Sequence, residues 1–240
     1  MKRNRAVLLL ILLMTVLAGC RPGRNRDLAE EVYQLEPGAD QDAPEVPEKI
    51  REIQKDINHW EDELNDALTA AKNTGRFYRV LGMKYMEYDM FGPARDSFSR
   101  SLEFTPENAR LYYYRGIAVS RVAMTRQDEG TRQQEMEMAE ADYIRAIQVE
   151  PIFMPPYYSL AVLYIYELNR PFEADLYLEK YVSVERSEPR GHLLYGQLLE
   201  QMGRLEEALD HYNKVLSLSA SDEEKEQVKE YIRRIKEDKW

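Results

Sequence analysis

The chain has 240 residues, with 33 Lys+Arg against 43 Asp+Glu, a formal net charge of −10, 44% hydrophobic and 32% charged residues. That length bounds one or two domains, and the apolar share supplies a core and excludes a wholly disordered chain. An acidic balance lacks the clustered Lys/Arg that phosphate neutralisation needs, so no nucleic acid is expected as a partner. One cysteine excludes an intrachain disulfide, and three histidines leave little from which to build a metal site.

The first twenty residues read MKRNRAVLLLILLMTVLAGC, with Lys2, Arg3 and Arg5 ahead of an apolar run from Ala6 to Leu17 broken only by Thr15. The run is short for a bilayer-spanning helix and of the right length for the apolar part of a secretion signal. Leu17-Ala18-Gly19-Cys20 puts small residues before the chain's only cysteine, and this resembles the lipobox of bacterial lipoproteins. The resemblance implies removal of residues 1–19, diacylglyceryl transfer to the Cys20 thiol, and acylation of the new amino terminus. Two or more acyl chains anchor stably where one does not. Loss of residues 1–19 leaves 30 basic against 43 acidic residues, a net of −13. Arg21, not Asp, follows the cysteine, which leans towards the outer rather than the inner membrane of a cell envelope.

Residues 20–47 form the expected lipidated tether. Pro22, Gly23, Pro37, Gly38, Pro44 and Pro47 are scattered there among acids without a sustained apolar period. As a coil it spans about 30 Å and fully extended about 90 Å. Over residues 48–74 the pattern changes. Ile50, Ile53, Ile57, Trp60, Leu64, Ala67 and Ala71 recur at alternating steps of 3 and 4, one apolar face of a helix. It is expected to end near Asn73-Thr74-Gly75, with Gly75 just past its last turn. The stripe reads either as a coiled-coil seam, which would make a dimer, or as a capping helix packed on the rest of the chain. Its short length and terminal alanines fit the second, and a monomer.

A unit then recurs. Tyr78, Leu81, Gly82, Tyr85, Ala94, Phe98, Ser101 and Pro106 describe two helical faces around a turn at residues 89–93. Similar spacing returns as Tyr112, Gly116, Val119, Ala139, Tyr143, Ala146 and Pro151. It returns as Tyr157, Leu160, Ala161, Tyr164, Ala174, Leu178 and Tyr181, and again as His192, Tyr195, Gly196, Leu199, Gly203, Ala208, Tyr212 and Val215. This resembles the tetratricopeptide repeat, a helix–turn–helix unit of about 34 residues with small and large residues at set places. The implied fold is all-α, a right-handed α-solenoid of about four repeats at residues 75–108, 109–154, 155–188 and 189–222. The 48–74 helix would cap one end and a helix over 223–240 the other. Gly or Ala at 82, 116, 161 and 196, and Ala at 94, 139, 174 and 208, let paired helices approach, with larger residues filling the gaps. Tyr stands where the family has Trp, His192 takes that place in unit four, and Tyr181 stands where unit three should have a small residue. Ser219-Ala220 replaces the closing Pro of unit four.

Unit two carries 11 extra residues between its helices, read as both helices running on by about a turn and a half. Asp128-Glu129-Gly130 gives the turn and Thr131-x-x-Gln134 resembles a capping box. Ser221-Asp222-Glu223-Glu224 opens the last helix in the same way, and Val228, Tyr231, Ile232 and Ile235 give it one apolar face.

No nucleophile–base motif, phosphate loop or H-E-x-x-H motif is present, so the chain reads as no enzyme, with no cofactor and no metal. His192 falls on a core position and His211 on an outward one. The repeat resemblance implies a concave groove lined by the first helix of each unit. Its places map to Arg76, Arg79, Met83 and Met86; to Arg110, Tyr113, Ile117 and Arg121; to Tyr158, Val162, Ile165 and Tyr166; and to Arg190, Leu193, Gln197 and Glu200. Apolar anchors give affinity while Arg orients carboxylates. The implied function is a membrane-anchored scaffold of the bacterial cell envelope. It would bind a peptide or helix of another envelope protein, as outer-membrane protein assembly factors, pilus-secretin pilots and adaptors for cell-wall enzymes do. The alternative is a solute-binding accessory of a transporter, which requires an enclosed pocket.

Overall fold

The computed structural model describes residues 48–237, which form nine α-helices and, among the described residues, no strand. They are α1 (Glu48–Glu87), α2 (Phe91–Phe104), α3 (Ala109–Ala123), α4 (Glu129–Val149), α5 (Pro155–Tyr166), α6 (Pro171–Val184), α7 (Pro189–Gln201), α8 (Leu205–Leu218) and α9 (Asp222–Glu237). The fold is all-α, a row of helices each packed on its neighbours in sequence. The chain divides into two units, one ending at Asp62 and one starting at Glu63. Cys20 and the tether lie outside the described residues.

The expected helix end at residues 73–75 is not there, because α1 runs unbroken through it for 40 residues. Thr74 Oγ1 donates to the Ala70 carbonyl at 2.9 Å, so even the polar residues stay inside the helix. Gly75 is buried for a packing reason: a Cβ there would lie 2.8 Å from the Cβ of Phe104 on α2. Ser101 Oγ donates to the Gly75 carbonyl at 2.7 Å across the same contact. Nor is the apolar stripe in a core. Ile50, Ile53, Ile57, Trp60 and Leu64 are 45–65% exposed.

From Gly75 onward small residues face large ones, helix against helix. A Cβ on Gly82 would meet Phe98 at 2.6 Å, one on Gly116 Tyr143 at 2.7 Å, and one on Gly196 Tyr212 at 2.6 Å. Ala94, Ala139, Ala161, Ala174 and Ala208 are fully buried between their partners. The bulk of Tyr181 is accommodated by the next unit, where a Cβ on Gly191 would come within 2.5 Å of its ring. The core runs on from pair to pair, from Val119 and Ala123 through Leu160, Leu178 and Leu199 to Val228 and Ile235.

Local signals set the boundaries. Pro155, Pro171 and Pro189 open α5, α6 and α7, where a missing backbone N–H costs nothing. Asn108 caps α3, accepting from the Leu111 N–H. The turn of unit one is Tyr88–Met90 rather than residues 89–93, since Gly92 and Pro93 already belong to α2. It closes through Asp89 at φ 55°, with Met90 N–H on the Tyr85 carbonyl at 2.8 Å. Unit four closes its turn alike, through Gly203 at φ 75° and Arg204 N–H on the Leu199 carbonyl.

The insertion in unit two extends its second helix rather than both equally. α3 has 15 residues, while α4 has 21 against 14 in each of α2, α6 and α8. The cap is Asp128, whose carboxylate accepts from Thr131 N–H at 2.7 Å, and Thr131 is already helical. The added turns are packed: Met136 is buried, Glu135 takes both Arg126 nitrogens at 2.7 and 2.9 Å, and Arg132 reaches Glu167 of the next unit at 2.8 Å. α9 starts as its capping box predicts, with Ser221 Oγ accepting from Glu224 N–H, and it buries Val228 and Ile235.

Candidate protein-binding face

The strip predicted on the first helices divides by chemistry. Met83 and Met86 pack against the core of the first two units. Tyr113, Ile117, Tyr158, Val162, Ile165 and Leu193 are half-buried against the core of the later units. Their free sides form an apolar and aromatic surface. Tyr113 meets Phe153 edge-on, with ring centres 5.4 Å apart, and Tyr158 packs on Tyr181 at 5.4 Å. Burial pushes the phenols of Tyr113 and Tyr158 above their ordinary range, so both stay neutral donors. Tyr166 is 61% exposed.

The arginines are not equivalent. Arg110 pairs with Glu150 at 3.1 Å and lies over Phe153, and Arg190 holds Glu188 at 2.9 Å. Arg76 and Arg79 are exposed and form no ion pair among the described residues, and Arg121 lies 4.9 Å from the centre of the Phe91 ring without a carboxylate. Three cations are therefore available to a ligand, all on the first two units. At the other end, α9 joins the strip. Gln197, Glu200 and Gln201 line an open cleft of about 410 Å³ with Tyr231 and Arg234, and Arg234 and Tyr212 both donate to Glu200. Phe91, Phe153, Tyr231 and Arg234 were not nominated from sequence. Tyr231 was visible as part of an apolar helix face, whereas Phe153 sits in a loop that no periodicity marks.

Behind the strip, tyrosine–carboxylate–arginine links tie unit two to unit three and unit three to unit four. Tyr164 donates to Glu140 at 2.7 Å, which also takes Arg170 at 3.1 Å. Tyr195 donates to Asp175 at 2.8 Å, which takes Arg204 at 2.8 Å. These phenols are held well above their usual range, first by burial and then by the carboxylate they bind. Most tyrosines of the signature are thus structural. Asp142, 5% exposed, is gripped by both forks of Arg115. Burial pushes its carboxyl up, while Arg115 opposes that.

His192 and His211, read as core and outward, in fact touch, with their Nδ1 atoms 2.9 Å apart. They line a cleft of about 450 Å³ with Tyr195, Arg204, Glu207 and Lys214. Among the described residues no three His, Cys, Asp or Glu side chains stand together as a metal site, and no helix is long and apolar enough to cross a membrane.

Residues 189–222 match the family described as tetratricopeptide repeat. A TPR repeat-containing protein of Borreliella burgdorferi is 22% identical over 186 residues, 77% of this chain and 81% of that one. The crystal structure of MamA matches with a TM-score of 0.52 at 21% identity, covering 78% of this chain and 99% of its own. YrrB, described as a TPR protein with an unusual peptide-binding site, matches with a TM-score of 0.52 at 18% identity, over 65% of this chain and 74% of its own.

Proposed function

We propose that this chain, whose folded part is an array of tetratricopeptide repeats, is a lipid-anchored adaptor of the bacterial cell envelope that holds a peptide or helix of a partner protein. The observation that carries the reading is the apolar strip on the first helices, with Arg76, Arg79 and Arg121 uncommitted at one end. Apolar anchors along Tyr113, Ile117, Tyr158 and Val162 would supply affinity. The three guanidiniums would orient carboxylates of the ligand by charge-assisted hydrogen bonds. Repeat arrays of this kind are generally scaffolds rather than enzymes, and the reading needs no catalytic group. Cys20 is the proposed anchor, and Arg21 after it favours the outer membrane, facing the periplasm. The transporter accessory is less favoured, because it requires an enclosed pocket and the clefts described are open to solvent.

Crosslinking in intact envelopes, followed by mass spectrometry, tests this. Arg79→Glu with Arg121→Glu should remove crosslinked partners while leaving the melting temperature unchanged, since both side chains are exposed. Cys20→Ser should release the chain from the membrane fraction. Unchanged crosslinks in the double variant would reject the strip as the binding face, and a mature chain with a free, unacylated thiol would reject the anchor.

A further inference from the structure

The start of α1 carries a row of exposed apolar side chains. Ile50, Ile53, Ile57 and Trp60 succeed one another at steps of 3, 4 and 3, which places them on one face. They are 45%, 51%, 50% and 65% exposed. Large apolar side chains scattered singly over a surface carry no message, but four in one row do. The positions beside the row decide what fits. Lys49 and Asp56 lie along one flank, Gln54 and Glu61 along the other, and all are exposed. In a parallel pair with a second copy, Asp56 of each chain would face Glu61 of the other, giving two like-charge contacts across a seam only two heptads long. The same acids would meet the charge of an anionic membrane with the wrong sign.

We propose that this face docks a helix of another protein whose own apolar row is flanked by Lys or Arg. Ile50, Ile53, Ile57 and Trp60 enter the seam, and Asp56 and Glu61 meet the basic flanks. The charge is opposite to that of the arginine-bearing strip, so this surface and that one select different partners. The inference stands independently of the strip.

Two synthetic helical peptides test it on the full chain, followed by fluorescence anisotropy. Both carry the same Ile/Leu row, one with Lys and one with Glu at the flanking positions. Asp56 and Glu61 favour the Lys peptide and Lys49 opposes it, so a net of one pair changing from repulsive to attractive should give the Lys peptide about a threefold advantage. The advantage should shrink as salt rises. Ile53→Ser with Ile57→Ser should abolish binding at an unchanged melting temperature, because neither side chain is buried. Asp56→Lys with Glu61→Lys should invert the preference. Arg79→Glu with Arg121→Glu should leave both affinities as they were. Equal binding of the two peptides, or none, overturns the proposal. So does a dimer in sedimentation that Ile53→Ser with Ile57→Ser dissociates, or adsorption of this face to phosphatidylcholine vesicles.

Discussion

His192 and His211 show how one contact determines a chemical response. The His192 Nε2 lies 3.0 Å from the Arg186 carbonyl, so that nitrogen carries the proton and donates it. Its Nδ1 then accepts from the Nδ1–H of His211, and both rings are neutral. Burial lowers both basicities. His211 falls to about 4, first from burial and then from the nearby Lys214 and His192. In the unfolded chain each titrates near 6.5. Between those values the unfolded state binds more protons, so stability is complete above about pH 6.5 and falls as pH drops towards 4. The melting temperature should stay level from about pH 8 to 7 and decline between about 6.5 and 4.5. His211→Gln should flatten most of that decline. Glu135 and Glu207 are held below the ordinary carboxylate range by Arg126 and Arg204, so they titrate below this window. An undiminished decline in His211→Gln, followed by calorimetry, would assign the pH response to other groups.

Gly75 carries the same lesson at the level of the helix. In an open helix, Gly→Ala stabilises by about 1 kcal/mol. Here the new Cβ would land 2.8 Å from the Phe104 Cβ, an atom fixed to its backbone that no rotamer change can move. Gly75→Ala should therefore destabilise by about 1–3 kcal/mol, read by denaturant unfolding. Phe104→Ala should bring no rescue, because alanine keeps the Cβ that the new methyl meets, so Gly75→Ala should cost about as much in that background as in the parent chain. The repeats were legible because a small residue facing a large one recurs at fixed spacing, as Gly82 with Phe98 and Gly196 with Tyr212 do. Gly75 misled because a glycine that ends a helix and one that lets two helices touch are the same letter. The His192–His211 contact was illegible for a related reason, since periodicity assigns a face to each helix but not the depth at which two helices cross. The arginines of the strip lie on α1, α3 and α7. Which of them a neighbouring acid already holds, as Glu150 holds Arg110, depends on the turns between units and not on the pattern within them.

From Glu63 onward each helix pair buries its apolar surface chiefly against its neighbours, so the array should behave as a row of coupled repeats rather than one indivisible core. Its last neighbour is α9. Val228 is fully buried and Ile235 is 2% exposed against the core that contains Tyr212 and Val215. Arg234 also reaches back to Glu200, which Tyr212 holds at 2.7 Å. Placing a charge at that seam should detach the helix and leave the face of α7 and α8 in water. Val228→Asp should cost about 3 kcal/mol or more, whereas Lys229→Asp on the exposed side should cost under about 0.5 kcal/mol. Light scattering should then rise with concentration for Val228→Asp, because an uncapped repeat presents the surface its missing neighbour would cover. Amide hydrogen exchange gives the sharper test. Protection should fall most in α8 and α7, less in α6 and α5, and least in α2 and α3. Uniform loss from α2 to α8 would mean instead that the tyrosine–carboxylate–arginine links, Tyr164 with Glu140 and Arg170, and Tyr195 with Asp175 and Arg204, weld the units into one cooperative block.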